Sequence, residues 1–323
     1  MPRIRSPRRG SMQYWPRSRA ADIVARIRNW PASKDTKLLG FPGYKVGMTH
    51  VILTDNRPAS ITKNEDIQVP VTVLECPPVK VAAIMLYTQD AYGLHCSGQI
   101  TTDKLDKELD RSLILPKKQT KQPSTKNIAE VRVMVHTQPK TMGIGKKKPE
   151  LLELGIGGTK AEDKLTFAQG ILGKEIKITD VFTEGQLLDV TSITKGKGYQ
   201  GPVKRFGVAL RSHKSEKTKR GPGSLGPWHG FKGYRTPHAG QMGFQQRTEH
   251  NKHLLKVADD PTKINVKGGY LRYGLIKQQY ALLRGSIGGA SKRLVTLSIP
   301  RRAWPKHQKE VPTIVYTSLA SKQ

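Results

Sequence analysis

Gly196, Gly198 and Gly201, in the run GKGYQG, fit the G-x-G-x-x-G spacing with which a glycine turn cradles a dinucleotide pyrophosphate. That chemistry needs a helix to begin at the glycines, so that its first amides meet the phosphates, and an acidic residue beyond it for the ribose. Here Pro202 follows, then Lys204 and Arg205, and Asp189 lies before the motif. The same residues suit a second chemistry. Glycines let the backbone approach phosphates closely, while Lys195, Lys197, Lys204 and Arg205 neutralise them. A flexible glycine turn is compatible with that reading. His213, His229, His238, His250 and His253 gather in the same part of the chain, the last two at a metal-like spacing. No cysteine or carboxylate cluster completes a site, and a cation would enter against positive charge. No metal is expected, and histidines bonding to RNA are the better fit. Trp228 sits in GSLGPWHGFKGYRTPHAGQMG. It either anchors a turn or stands at the tip of an extended arm, stacking on bases, an interaction worth about 1–3 kcal/mol. Phe231 and Tyr234, flanked by Lys232 and Arg235, suit the same role. No G-x-S-x-G, Walker loop or H-E-x-x-H occurs. No catalytic residue, cofactor or small-molecule substrate is therefore expected.

The charge that surrounds these residues is concentrated. The 323-residue chain has 56 Lys and Arg against 25 Asp and Glu, a net charge of +31. Residues 1–37 carry +8 of it and residues 195–256 carry +12. Such an excess calls for a polyanionic partner. Nucleic acid is the natural one, because no run of apolar residues is long enough for a membrane span and no basic amphipathic helix dominates. The start, MPRIRSPRRG, has no apolar stretch behind it and does not read as a secretory signal. Cys76 and Cys96 read as two buried thiols in a reducing compartment. Residues 195–256 hold only nine Leu, Ile, Val or Phe, with eleven glycines and four prolines. Long helices and strands are not expected there, and such a stretch orders as an arm on its partner.

Elements that could position these arms lie on either side. Residues 45–54, 69–75 and 79–88 read as strands, the last two separated by Pro77-Pro78; residues 186–194, 273–289 and 293–300 form a second set. The stretch 273–289 also suits a helix. Between the sets, 101–115 and 160–172 read as helices and 127–137 as a strand. The expected architecture is mainly β with an α/β insertion. A β-barrel is built from 38–88 and 180–300, interrupted by a basic central extension at 195–256, with the insertion at 89–179. A basic N-terminal extension covers 1–37 and a C-terminal tail 301–323.

These residues resemble the ribosomal protein L-three family in its archaeal and eukaryotic form. Phe182, Asp189, Ser192, Thr194, Gly196, Lys197, Gly198, Gly201 and Arg205 match the family's diagnostic spacing. Gly226-Pro-Trp228-His229, Ala239-Gly240-Gln241-Met242-Gly243, Arg247-Thr248 and Asn251-Lys252 resemble its central extension. Pro16, Arg17, Arg19 and the block Gly43 to Thr49 also fit. The resemblance implies a six-stranded, translation-factor-like barrel with extensions embedded in large-subunit rRNA. It implies neighbouring ribosomal proteins as partners, a cytoplasmic ribosome as location, an early role in subunit assembly and no catalysis. The tip of the central extension, with Trp228, would lie near the peptidyl transferase centre. Lys219 stands where eukaryotic members carry a methylated histidine, so that modification does not transfer; Gln241 occupies the place of a glutamine methylated in bacterial members. Expected phosphate contacts are Arg3, Arg5, Arg8, Arg9, Lys195, Lys197, Lys204, Arg205, Arg211, Lys214, Lys219 and Arg220. Trp228 and His229, with Lys232 and Arg235 beside them, would meet bases, Gln241, Arg247 and Asn251 would brace the arm, and Lys252 is a further expected rRNA contact. Two other classes share the charge. A chromatin protein more often shows a reading helix or repeated basic motifs. An RNA-modifying enzyme needs a cofactor loop followed by a helix, against which Pro202 speaks.

Overall fold

A computed structural model describes residues 7–116, 123, 127–215, 217–225, 236–305 and 310–320. The chain divides into two compact units, Met1–Asp22 with Ile193–Gln246, and Ile23–Ser192 with Arg247–Gln323. The fold is mainly β. Its strands are β1 (Gly40–Thr54), β2 (Asp66–Glu75), β3 (Val79–Asp90), β4 (Gly93–Thr101), β5 (Glu130–Thr137), β6 (Leu151–Gly155), β7 (Glu175–Ile176) and β8 (Leu187–Ile193). After them come β9 (Tyr199–Gln200), β10 (Gly240–Gln241), β11 (Gln246–Ala258), β12 (Tyr280–Arg284), β13 (Leu294–Ser298) and β14 (Ile314–Thr317). The helices are α1 (Ala161–Ile171) and α2 (Pro202–Phe206).

In the larger unit, one sheet runs β13-β8-β11-β12-β2-β1-β14, and β13 also pairs with β1. The fifteen-residue β1 is long enough to serve three neighbours. Gly40 to Tyr44 pair with β13, Tyr44 to Thr54 with β2, and Val51 to Leu53 with β14. Apolar residues of these strands, among them Phe41, Val46, Val71, Val73, Leu188 and Val295, are fully or almost fully buried. Each contributes about 1.5–3 kcal/mol on burial. The second sheet runs β4-β3-β5-β6, with β7 against β3. Helix α1 packs on β5 and β3, seating Ala168 in the core. Its first turn carries Glu162 and Asp163, which favour the positive end of the helix dipole. Tyr44 joins the sheets. Its hydroxyl donates to Glu150 Oε2 at 2.6 Å and lies 2.8 Å from Thr137 Oγ1. Burial, with the Glu150 charge beside it, pushes that hydroxyl far above its ordinary pKa.

Several expectations need correction. Residues 79–88 form the central strand of the second sheet and leave the first, because Pro77-Pro78 ends β2 and turns the chain. Residues 101–115 are not a helix. Asp106 is held by Lys80 and His136, only Leu109 of the apolar positions is deeply buried, and the result is a 3-10 turn over Lys107–Arg111. Strands β4 and β6 were not legible. Residues 246–256, assigned above to the extension by composition, belong to the long strand β11. In 273–289 only Tyr280–Arg284 is a strand. The preceding turn is captured by the buried Glu75 carboxylate, which accepts from Lys277 N at 2.8 Å, Gln278 N at 2.9 Å and the Tyr273 hydroxyl. In 23–37, Ala25 and Ile27 are buried, and a Cβ on Gly155 would lie 2.5 Å from the Trp30 ring. That part of the N-terminal stretch therefore packs as ordinary protein. Cys76 is buried as expected, but Cys96 is exposed because β4 is an edge strand.

Candidate nucleic-acid interface

The smaller unit brings the two basic segments together. Chain segments 194–200 and 240–245 run antiparallel as the two legs of the central extension. Lys197 N donates to Met242 O and Met242 N to Gly198 O, both at 2.9 Å, and Thr194 N donates to Gln245 O at 3.0 Å. Between them β9 pairs with β10, Tyr199 opposite Gln241 and Gln200 opposite Gly240. The Gln241 side chain binds the local backbone: its Nε2 donates to Gly243 O at 3.1 Å and Met242 O at 3.3 Å. Gly243, at φ +73°, approaches so closely that a Cβ would lie 2.0 Å from Lys195 O.

The glycine motif leads into α2 after all. Pro202 takes the first helical position, where its missing N–H costs nothing, Gly201 is the N-cap, and Gly207 ends the helix at φ +67°. Pro202 therefore starts a helix here and does not forbid one. The helix has only five residues, and the strands around the motif are an antiparallel pair, unlike the parallel βαβ unit of a dinucleotide fold.

Helix α2 instead fastens the N-terminal segment. Phe206 is buried, its ring 6.5 Å from that of Trp15. The guanidinium carbons of Arg17 and Arg205 each lie 5.1 Å from the Phe206 centroid. Carbonyls complete their settings: Arg17 Nη2 donates to Ser11 O and Arg205 Nη1 to His238 O, both at 2.9 Å. Ala20 N donates to Phe244 O at 2.8 Å, and Arg9 lies against Gly207. Each cation–π contact is worth about 0.5–1 kcal/mol at such sites. Trp15 and Phe206 were not singled out by sequence, although two rings in segments so poor in apolar residues are a signal.

Arg8, Arg9, Lys195, Lys197, Lys204, Arg211, Lys214, Lys219 and Arg220 are all exposed. A backbone bond from Arg211 N to Lys219 O, 3.2 Å, brings the last of these together across one loop. Arg205 is half-buried in the aromatic cluster. Arg3, Arg5, Trp228, His229, Lys232 and Arg235, with Phe231 and Tyr234, lie outside the described residues.

Three expected residues fall in the larger unit, on or beside β11. Asn251 adopts a left-handed φ of +56°, its N–H donating to Asp189 Oδ1 at 3.0 Å and its Nδ2 to Arg302 O at 2.8 Å. Asp189 is fully buried. Its Oδ2 accepts from Arg301 N at 3.1 Å and lies 2.7 Å from His250 Nδ1. Lys252 is bound to Ser286 O and to Glu249, each at 2.8 Å. Arg247 is half-buried on the same strand. Among the described residues no group of three or more His, Cys, Asp or Glu could hold a metal, and no helix is long and apolar enough to cross a membrane.

The profile of the family described as Ribosomal protein L3 matches residues 1–126 and 117–323. The large ribosomal subunit protein uL3 of Methanosphaerula palustris is 44% identical over 338 residues, covering 100% of both chains. That of Archaeoglobus fulgidus is 46% identical over 327 residues, 98% of each. That of Methanocaldococcus jannaschii is 43% identical over 332 residues, 99% of this chain and 98% of that one.

Proposed function

The chain belongs to the ribosomal protein L3 family and is a structural constituent of the large ribosomal subunit, and we propose that it works by embedding its smaller unit in large-subunit rRNA. The observation that carries this reading is the division of labour within that unit. Trp15, Phe206 and two of its arginines are spent on internal packing, while Lys195, Lys197, Lys204, Arg211, Lys214, Lys219 and Arg220 stay exposed. Exposed cations on a fixed backbone neutralise phosphates and release condensed counterions. Arg3, Arg5, Lys232 and Arg235 extend the same charge, and Trp228 with His229 meets bases at the tip of the extension, near the peptidyl transferase centre. The larger unit is the base, read as a six-stranded barrel; β13 pairing with β8 on one side and β1 on the other supports that reading. Neighbouring ribosomal proteins, a cytoplasmic ribosome and a part in early subunit assembly belong to the same proposal.

A sucrose-gradient profile of native extract in about half-molar salt tests it. Interlocking with RNA keeps the chain on the large subunit at one copy each, released by RNase and indifferent to DNase. Migration at the top of the gradient would overturn the reading, and release by DNase would favour a chromatin protein.

A further inference from the structure

We propose that Tyr199 is a stacking platform for an unpaired base of the rRNA, a contact that rests on the rRNA-binding reading above and adds a specific residue to it. Among the described aromatic residues of the smaller unit, Trp15, Phe206 and Phe244 are buried or half-buried and Tyr14 is 52% exposed. Tyr199 is 77% exposed. A single exposed ring is ordinary at a protein surface; what distinguishes this one is its mount and the charges around it.

The ring is nonetheless carried on a fixed backbone. Tyr199 pairs with Gln241, and the flanking bonds from Lys197 N to Met242 O and from Met242 N to Gly198 O lock the ladder immediately before it. Gln200 Nε2 donates back to Lys197 O, closing the turn that carries the ring. A rigid mount lowers the entropy lost when a partner stacks. The approach is also clear. Gly198 and Gly201 lie on either side of Tyr199 and Gln200, and a Cβ built on either would meet nothing within 4 Å. No side chain of those neighbours can crowd a flat ligand.

Charge identifies the ligand class. Lys195 and Lys197 precede the ring and Lys204 follows it, all three exposed. An aromatic face between cations fits a nucleobase with its phosphates, the combination by which proteins hold single-stranded RNA. A hydrophobic protein surface would match the ring and leave the lysines unanswered.

The test uses native large subunits. Ultraviolet cross-linking of wild-type subunits, followed by mass spectrometry, is expected to yield a nucleotide adduct on the peptide carrying Tyr199. Chemical probing of subunits assembled with Tyr199→Ala is expected to raise reactivity at one or two rRNA nucleotides by about fivefold or more, the lower end of what losing one base–aromatic stack produces. Tyr199→Phe should restore protection, because stacking needs the ring and not the hydroxyl. If the chain is present in the subunits, a wild-type cross-link to protein alone, or an unchanged reactivity pattern with Tyr199→Ala, would overturn the platform and leave rRNA binding standing. Absence of the wild-type chain from the subunits would instead overturn the rRNA reading itself.

Discussion

The rings of Trp15 and Phe206 lie with centroids 6.5 Å apart and planes tilted by 49°, joining the N-terminal segment to the short helix of the central extension. A Cβ on Gly10 would stand 2.5 Å from the Phe206 ring, so the chain also passes directly over it. The two basic segments are therefore fastened to each other within the smaller unit. Burial of the Phe206 ring is what holds the two segments to each other.

Phe206→Ala should release the N-terminal segment. Truncating a buried phenylalanine costs about 3–5 kcal/mol where the site cannot collapse, more than a small unit can absorb. Limited proteolysis of the free protein should then cut within 7–22, while the larger unit stays protected. Equal cleavage of wild type and variant would refute the fastening role.

Gly243→Ala and Gly198→Ala should differ sharply. Both glycines have left-handed backbones, at φ +73° and +67°, which costs about 1–2 kcal/mol for any other residue. At Gly198 the space is open; at Gly243 the new methyl would collide with Lys195 O. Hydrogen exchange at Lys197, Met242 and Phe244 should accelerate strongly in Gly243→Ala and mildly in Gly198→Ala.

Salt dependence should separate free cations from engaged ones. Replacing Lys195 and Lys197 together with alanine should lower the slope of log affinity against log salt by about 1.4–1.8, since each phosphate contact contributes roughly 0.7–0.9. Lys252→Ala should leave the slope nearly unchanged, because that ammonium is bound to Glu249 and Ser286 O. The readout is filter binding of the full chain to an rRNA fragment over a salt series.

Acidification should destabilise the larger unit through His136. Burial holds its imidazole below the ordinary pKa, opposed by the nearby Asp106 carboxylate. The folded state thus resists a proton that the unfolded chain accepts near pH 6.5. Stability is complete above that value and falls as pH drops below it toward the lower folded pKa, by at most about 1.4 kcal/mol per pH unit. Urea midpoints between pH 7.5 and 5 should decline less steeply in His136→Gln. Identical slopes would count against the buried imidazole.

Trp228→Ala should leave rRNA binding largely intact and impair elongation or fidelity. Normal translation in cells carrying only that variant would remove the tip assignment.

Much of this was legible along the chain because it depends on local properties. Alternation at 45–54 and β-branched or apolar runs elsewhere point to β1, β2, β5, β8 and β13, and the concentration of Lys and Arg raises the expectation of a polyanionic partner. The motif from Phe182 to Arg205 points to the family by its spacing alone. What stayed hidden depends on residues far apart. Composition assigned 246–256 to the arm, yet that stretch is pinned into a strand by partners such as Asp189, which takes the Asn251 N–H, and β12. Residues 79–88 look like any buried strand, and nothing in them says which sheet they enter. A basic residue carries the same charge in sequence whether it faces solvent, like Lys197, or is held by a carboxylate and a carbonyl, like Lys252. Periodicity and charge are carried by each segment alone. Pairing, burial and the division between free and engaged cations arise only when distant segments meet, since each depends on the partner and not on the segment.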